Sequence, residues 1–426
     1  MVREFCIRKA HDERFIRVLS DRVVRQGTIN ERHISFINGQ HITPGHSDMI
    51  NIWAPTIHTI LYFHLKNFPC VTSFLRNHKF LRIFEAMSEN STSLPSEVFD
   101  LFDLRYLALT CSSIPSTISN LMNLQTLIIL PTSRFASAND HRRYWVGETN
   151  AWSHSPLPLE IWRMPQLRHV LLHHAVTLPH PPDGSNPPLE NLQTLSYILN
   201  LVWNENVLLM IPNVKRLGLV YDIDVEFNLD LLRRLDKLEK LVIETGYTFE
   251  IRRLDKLFKV KTAGYTNYWR NSVNFPSTLK KLTLVGGGLP WKDMSVIGSL
   301  PNLQVLKLRN HACRGETWET VDGEFPDLRY LLIVGSVLQQ WITESSHFPR
   351  LKYLVLRHCQ MLREIPGCIG EIPTLEVIEV DSSNQFLVES AKQIKEDQES
   401  YGNYDLHVRV THSREVRVLA ILELYI

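Results

Sequence analysis

The chain of 426 residues is 44% apolar, enough to bury a large core, which excludes a disordered polypeptide. Lys and Arg total 46 against 45 Asp and Glu, a net charge of +1, so bulk charge points to no polyanionic partner and any basic surface has to arise from local arrangement. The opening MVREFCIRKA scatters charges where a secretory signal needs an apolar run of about 7–15 residues. The longest apolar stretch, Val416 to Ile426, is interrupted by Arg417 and Glu423 and falls short of the roughly 20 residues of a spanning helix. Six cysteines (Cys6, Cys70, Cys111, Cys313, Cys359 and Cys368) include no CxxC pair, which argues against a disulfide scaffold and fits reduced thiols in a soluble cytoplasmic protein.

In chain order, one pattern dominates: apolar-x-x-apolar-x-apolar. IHTILY from Ile57 and FLRIF from Phe80 read as degenerate copies, so the repeats are expected to begin before residue 60. Clear copies follow as LRYLAL from Leu104, LQTLII from Leu124, LRHVLL from Leu167, LQTLSY from Leu192, VKRLGL from Val214 and LEKLVI from Leu238. After these come LFKVKT from Leu257, LKKLTL from Leu279, LQVLKL from Leu303, LRYLLI from Leu328, LKYLVL from Leu351 and LEVIEV from Leu375. Successive starts lie 19–25 residues apart, save one interval of 43. That long interval holds Arg134 to Pro158, which has no apolar period and reads as a surface excursion, either an untidy loop or a partner-contacting arm. Near the end, Glu389 to Ser400 (ESAKQIKEDQES) reads as a polar helix and LHVRV from Leu406 as an alternating strand, together a C-terminal cap.

Positions 4 and 6 of each copy alternate on a short strand and point into a shared core, while position 1 packs at the turn before it. One copy cannot bury that face, whereas stacked copies can. The spacing therefore predicts an α/β leucine-rich-repeat solenoid, a horseshoe with a parallel sheet on its concave face. The position three residues after the last core residue, where Asn or Cys would bond neighbouring coils, holds Cys359 and Asn200 but also Ser112, Thr132, Asp222, Ser336 and Gly246, an irregular ladder.

A set of stretches carries a family resemblance: REFCIRKA from Arg3, ERHIS from Glu31, LPSEVFDLFDLRYL from Leu94, EIWRMPQLRH from Glu160, SLPNLQVLKL from Ser299 and LREIPGCIG from Leu362. Over nearly the whole chain the sequence resembles the leucine-rich-repeat half of plant intracellular immune receptors of the coiled-coil, nucleotide-binding type, the late-blight-resistance group of the nightshade family. The resemblance implies residues 1–33 as a remnant of the winged-helix end of a nucleotide-binding module, 34–100 as degenerate repeats, 101–388 as repeats with the excursion at 131–158, and 389–426 as the cap. It also implies pathogen recognition, of an effector or a guarded host protein, and autoinhibition of a nucleotide switch that leads to hypersensitive cell death. The sequence departs from that pattern in having no G-x-x-x-x-G-K-[ST] phosphate loop, and GGGLPWK from Gly286 has the wrong spacing for one. No cofactor is therefore expected in this chain; ATP or ADP belongs to the nucleotide-binding domain of a full-length receptor. A fragment starting just past the switch and a chain that acts without it both remain open.

Catalytic and metal motifs find little support. His169 and His173 would sit about 13 Å apart on one strand, at roughly 3.3 Å per residue, too far to share an ion. Asp222-Ile-Asp224 follows a repeat strand where polar loop residues are ordinary, and Gly45-His-Ser-Asp places triad residue types in immediate succession, which no relay geometry permits. An enzyme is not expected. Positions 3, 5 and 7 carry the informative chemistry, since they should face solvent. They hold Arg216, Lys240, Lys259, Lys261, Lys281, Lys307, Arg309 and Arg357, against only Glu244, Glu379 and Asp381 as acids, with Tyr330, Leu332, Val334, Tyr353 and Val355 as an apolar patch alongside. This face either merely solubilises an exposed sheet or forms a basic band that docks an acidic protein surface, such as the nucleotide-binding domain of a receptor. Nucleic acid is disfavoured by the neutral overall charge and the lack of a reading motif. Three functions compete: the interaction module of an immune receptor, a surface-receptor ectodomain, and a free-standing adaptor or regulator. Absent capping cysteines and a single N-x-[ST] site at Asn90 count against the ectodomain.

Overall fold

A computed structural model describes residues 17–20, 32–37, 57–65, 75–76, 78–88, 95–111, 113–130, 156–182, 186–222, 225, 229–245 and 274–411. These fall into two compact units, Met1–Val214 and Lys215–Ile426.

The first unit holds strands β1 (Arg17–Ser20), β2 (His33–Ile37), β3 (Thr59–Leu65), β4 (Ile83–Ser88), β5 (Tyr106–Thr110), β6 (Thr126–Leu130), β7 (His169–Leu172), β8 (Val176–Thr177) and β9 (Thr194–Leu199). Each of β1 to β6 pairs in parallel with the next in sequence, β7 pairs with β9, and β8 joins the far end of β9. The ladder thus reaches back to Arg17, inside the stretch assigned to a winged-helix remnant. β6 pairs directly with β7, and the expected excursion at 131–158 lies outside the described residues up to 155.

The second unit holds β10 (Arg216–Tyr221), β11 (Lys240–Thr245), β12 (Lys281–Val285), β13 (Leu289–Pro290), β14 (Val305–Arg309), β15 (Cys313–Arg314), β16 (Thr317–Glu319), β17 (Tyr330–Val334), β18 (Gln340–Ile342), β19 (Tyr353–Arg357), β20 (Val377–Asp381) and β21 (His407–Thr411). Its main sheet runs β10-β11-β12-β14-β17-β19-β20-β21, every pair parallel. The copy at Leu257 lies outside the described residues, but β11 pairs directly with β12, so it inserts no strand between them, contrary to the expectation from its pattern. LxxLxL is permissive, and a match to it need not add a strand to the ladder. The step between the neighbours Glu239 and Lys280 is 41 residues.

The register explains the core. Positions 4 and 6 of β10 to β20, from Leu217 and Leu219 through Leu306 and Leu308 to Ile378 and Val380, are at most 2% exposed. Turns between coils begin on proline: Pro95, Pro115, Pro158 and Pro366 precede the 3-10 turns Ser96–Asp100, Ser116–Asn120, Leu159–Arg163 and Gly367–Glu371. Proline suits that position because its missing N–H would have no intrahelical acceptor there. Side chains just before position 1 tie each coil to the one before: Asn123 to the Phe102 carbonyl (3.0 Å), Asn191 to Pro165 (3.0 Å), Asn213 to Glu190 (2.7 Å) and Asn302 to Ser277 (2.8 Å). Much of the coil-to-coil ladder therefore lies before the strand, where Asn amides reach a carbonyl of the preceding turn. Cys359 occupies the position expected after the strand, donating from Sγ to the Ile333 carbonyl at 3.6 Å.

Beyond the main sheet, β13–β15 and β16–β18 form short parallel pairs that carry an aromatic spine. Trp291, Trp318 and Trp341 stack with centroids 4.8 and 5.1 Å apart, and Phe325 and Phe348 pack edge-on against Trp318. At the end, helix Gln385–Ser400 is capped by Asn384, whose side-chain oxygen accepts from Phe386 N and whose amide donates to the Cys359 and Leu362 carbonyls. The helix begins four residues before the expected Glu389, and Gly370 lets it close on the solenoid: a Cβ there would lie 2.6 Å from Ile394 Cγ2.

Candidate protein-docking site

The parallel register of the second unit places equal positions of neighbouring coils side by side, at about 4.8 Å per strand step. At position 3 this aligns Arg216, Lys240 and Lys281 on β10, β11 and β12, then Val305, Tyr330 and Tyr353 on β14, β17 and β19. Three cations thus stand in single file in a row that contains no acidic residue type. Arg216 and Lys281 are exposed and Lys240, between them, is half-buried. Burial first, then the charges of Lys281 and Arg216, push the Lys240 ammonium below its ordinary value. Glu239 belongs to the adjoining position-2 row and pairs with Lys280 at 3.3 Å.

The next row, position 5, carries Gly218, Val242 and Thr283 beside the cations and Lys307, Leu332 and Val355 beyond them. Lys307 Nζ lies 5.9 Å from the centre of the Tyr330 ring, a cation–π contact. Tyr330 and Tyr353 have centroids 6.3 Å apart. The Tyr353 hydroxyl donates to Glu376 at 3.0 Å, a hydrogen bond that orients the ring and pushes its phenol up, and the same carboxylate takes Lys352 at 2.6 Å, whose charge opposes that shift. Glu376 stands at position 2, outside the odd positions that the repeat pattern marks as shaping this face, and carries no sequence signal of its own.

Several expected members of the band are not on its surface. Arg309 and Arg357 are 7% and 3% exposed, a correction to the expectation that position 7 faces solvent. Arg357 is spent on Glu379, with Nε and Nη2 at 2.9 and 2.6 Å from one carboxylate oxygen. Glu244 is 7% exposed, and burial pushes its carboxyl up to about 7. Leu332 and Val355, expected in an open apolar patch, are buried as well. Lys259 and Lys261 lie outside the described residues. Among the described residues, the members of the band on the surface are Arg216, Lys240, Lys281, Lys307, Tyr330 and Tyr353.

Of the residues weighed for metal, catalysis or phosphate, Asp224 and 45–48 lie outside the described residues. His169 Nδ1 lies 3.1 Å from Thr194 Oγ1. Gly286, Gly287 and Gly288 have φ of 70°, 84° and 55°, a left-handed run only glycine adopts without strain. The N–H groups of Gly286 and Gly288 donate to the Arg309 and His311 carbonyls of the next coil, which leaves them unavailable to an anion.

A repeating coil with a parallel sheet, an open face of aligned side chains and a buried leucine ladder defines a leucine-rich-repeat solenoid. The family model described as a leucine-rich repeat region matches residues 63–400, and the chain belongs to that family. It is similar to putative late blight resistance protein homologs of Solanum demissum: R1B-16 is 29% identical over 94% of this chain, R1B-23 is 28% identical over 93%, and R1B-13 is 27% identical over 93%. The chain spans only 29%, 30% and 33% of the lengths of these three relatives. Among solved structures, a leucine-rich repeat protein of Leptospira interrogans is 15% identical with a TM-score of 0.42, covering 83% of this chain and 90% of its own. No helix of the described residues is long and apolar enough to cross a membrane.

Proposed function

We propose that this chain is the protein-interaction module of a cytoplasmic plant disease-resistance receptor, and that its cation row docks an acidic surface on the receptor's nucleotide-binding half. In the resting state that contact restrains the switch; recognition of a pathogen effector or a guarded host protein on the repeats releases it and permits hypersensitive cell death. The reading is carried by Arg216, Lys240 and Lys281, which the parallel register holds side by side on successive strands. Like charges gathered on one face repel each other and focus a field that an acidic partner relieves. The resemblance to resistance protein homologs supplies the partner. This chain takes no nucleotide itself, so calorimetry with ATP or ADP should show no stoichiometric binding.

The test is titration of the chain with a separately expressed nucleotide-binding half of a receptor of this type. Binding should weaken steeply with salt, because exposed charges are screened over about 8–10 Å near physiological ionic strength. Association should slow more than dissociation speeds up. Changing Arg216, Lys240 and Lys281 together to Glu should reduce affinity by at least about tenfold, the loss expected when three steering charges are reversed. Equal binding by wild type and variant at low and high salt would overturn the assignment.

A further inference from the structure

The position-3 row joins two chemistries along one line: Arg216, Lys240 and Lys281 at one end, Tyr330 and Tyr353 at the other, with Val305 between. We infer that this row binds a single extended acidic segment of a partner protein, with two carboxylates two residues apart over the cations and one aromatic or large aliphatic side chain four residues beyond, over the tyrosines. The inference rests on the docking role proposed above and specifies the partner's form.

The spacing is what argues for it. Five strand steps separate Arg216 from Tyr353, about 24 Å at roughly 4.8 Å per step, and an extended chain covers that length in about seven residues at roughly 3.3 Å each. Side chains at i and i+2 of such a chain are about 6.6 Å apart on one face, which sets one carboxylate near the Arg216–Lys240 gap and the next near the Lys240–Lys281 gap. The small mismatch is within the reach of flexible lysine stems. From the first gap to the Tyr330–Tyr353 gap is about 19 Å, against about 20 Å from i to i+6 of an extended chain. The ring pair is pre-set: Glu376 holds the Tyr353 hydroxyl, and the centroids stand 6.3 Å apart, so little ordering is left for the partner to impose. Beside the cations, the position-5 row offers Gly218, Val242 and Thr283, which add no charge. On that side the row is bordered by uncharged residues, which leaves the length of the row, along the line of strand steps, as the direction in which an extended segment matches it.

Among the described residues, three acids of this face have partners outside the cation row: Glu379 pairs with Arg357, Asp381 accepts from the His358 N–H and from Ser383, and Glu239 pairs with Lys280. Either chain direction meets the same spacing, so the motif reads [DE]-x-[DE]-x-x-x-[FYWLM] or its reverse.

The test is fluorescence anisotropy of labelled synthetic peptides titrated with the full chain. One peptide carries Asp, Asp and Phe at its first, third and seventh positions in a Gly-Ser background, a second is its reverse, and a third has the same composition with Phe placed between the acids. At least one ordered peptide should bind about ten times or more tightly than the scrambled one, as expected when both anchors engage pre-ordered sites at once. Lys281→Gln should weaken the ordered peptide several-fold. Tyr330→Leu, which keeps an apolar side chain while removing the ring, should erase most of the preference for Phe over Ala at the seventh position. If ordered and scrambled peptides bind equally, the spacing is wrong and the inference falls, although the docking of an acidic domain would stand. If the nucleotide-binding half binds through Arg216, Lys240 and Lys281 but no peptide does, the partner presents a folded acidic face and the extended-segment inference falls. If neither binds, both readings fall.

Discussion

The aromatic spine and the cation row are made by the same device and use it in opposite ways. In each, the solenoid sets like residues of successive coils side by side. Trp291, Trp318 and Trp341 attract one another in register, stacked at 4.8 and 5.1 Å, and edge-on phenylalanines close the cluster. Such aromatic pairs contribute about 0.5–1.5 kcal/mol each beyond the area they bury. Arg216, Lys240 and Lys281 repel one another in the same register, and Lys240, already penalised by burial, is pushed down further by the charges on either side. A ladder whose members attract is part of what folds the chain, whereas a ladder whose members repel costs stability and is relieved by something outside it. The sign of the neighbour interaction therefore separates structural rows from docking rows within one repeat.

The contrast can be broken most forcefully at the spine. Trp318 is fully buried between two stacked indoles, so Trp318→Ala should cost about 3–5 kcal/mol through lost burial and a residual cavity, read from urea unfolding. Near-UV circular dichroism should lose the coupled-indole signal at the same time. Leu306, also fully buried, should cost about 2–5 kcal/mol as Leu306→Ala, whereas Lys307→Met one residue away should be nearly neutral, because it faces away from the core.

Glu244 sharpens the comparison with a buried charge. Its folded pKa of about 7 lies above the ordinary 4.5, so the folded chain holds this proton more tightly than the unfolded chain does. The resulting stability is fully present below pH 4.5, declines as pH rises, and is lost above about 7, where a buried carboxylate must be carried. Glu244→Gln should therefore flatten the pH dependence between 4.5 and 7 and raise stability above that range by an amount on the order of 1–3 kcal/mol. The smallest effect belongs to the row itself. Lys240→Gln should leave stability unchanged or raise it by up to about 0.5 kcal/mol at low salt, a gain that fades as salt screens the repulsion. For wild type the sign agrees: a lysine whose folded pKa is depressed makes stability increase with pH towards the ordinary 10.5.

Much of the repeat order was legible because period-2 burial leaves a strong trace: Leu at positions 1, 4 and 6 is dictated by the core, and the coils recur at repeat length except across the two long steps that end at Leu167 and Leu279. The failure at Leu257 has the same root, since LxxLxL is short enough to occur without forming a ladder strand. The docking face was half legible. Row membership follows from register, so Arg216, Lys240, Lys281, Tyr330 and Tyr353 could be read from spacing. Exposure could not, because period-2 alternation assigns a face but not a depth, and Arg309, Arg357 and Leu332 are buried at positions where the alternation places solvent. The spine left a fainter sign, tryptophans at 291, 318 and 341 recurring near the repeat length, which the LxxLxL pattern does not contain. The Asn ladder was hidden by its place: it precedes position 1, whereas the repeat pattern marks the position after the strand.

One measurement bears most directly on the claim that the cation row exists for docking rather than for the fold. The triple variant Arg216→Gln, Lys240→Gln, Lys281→Gln should be melted at low and high salt and, in the same preparation, titrated against the nucleotide-binding half of a related receptor. The account predicts a melting temperature equal to or above that of wild type at low salt, converging with it at high salt, together with at least about a tenfold loss of affinity. A variant that melts several degrees lower while binding its partner as tightly as wild type would contradict it.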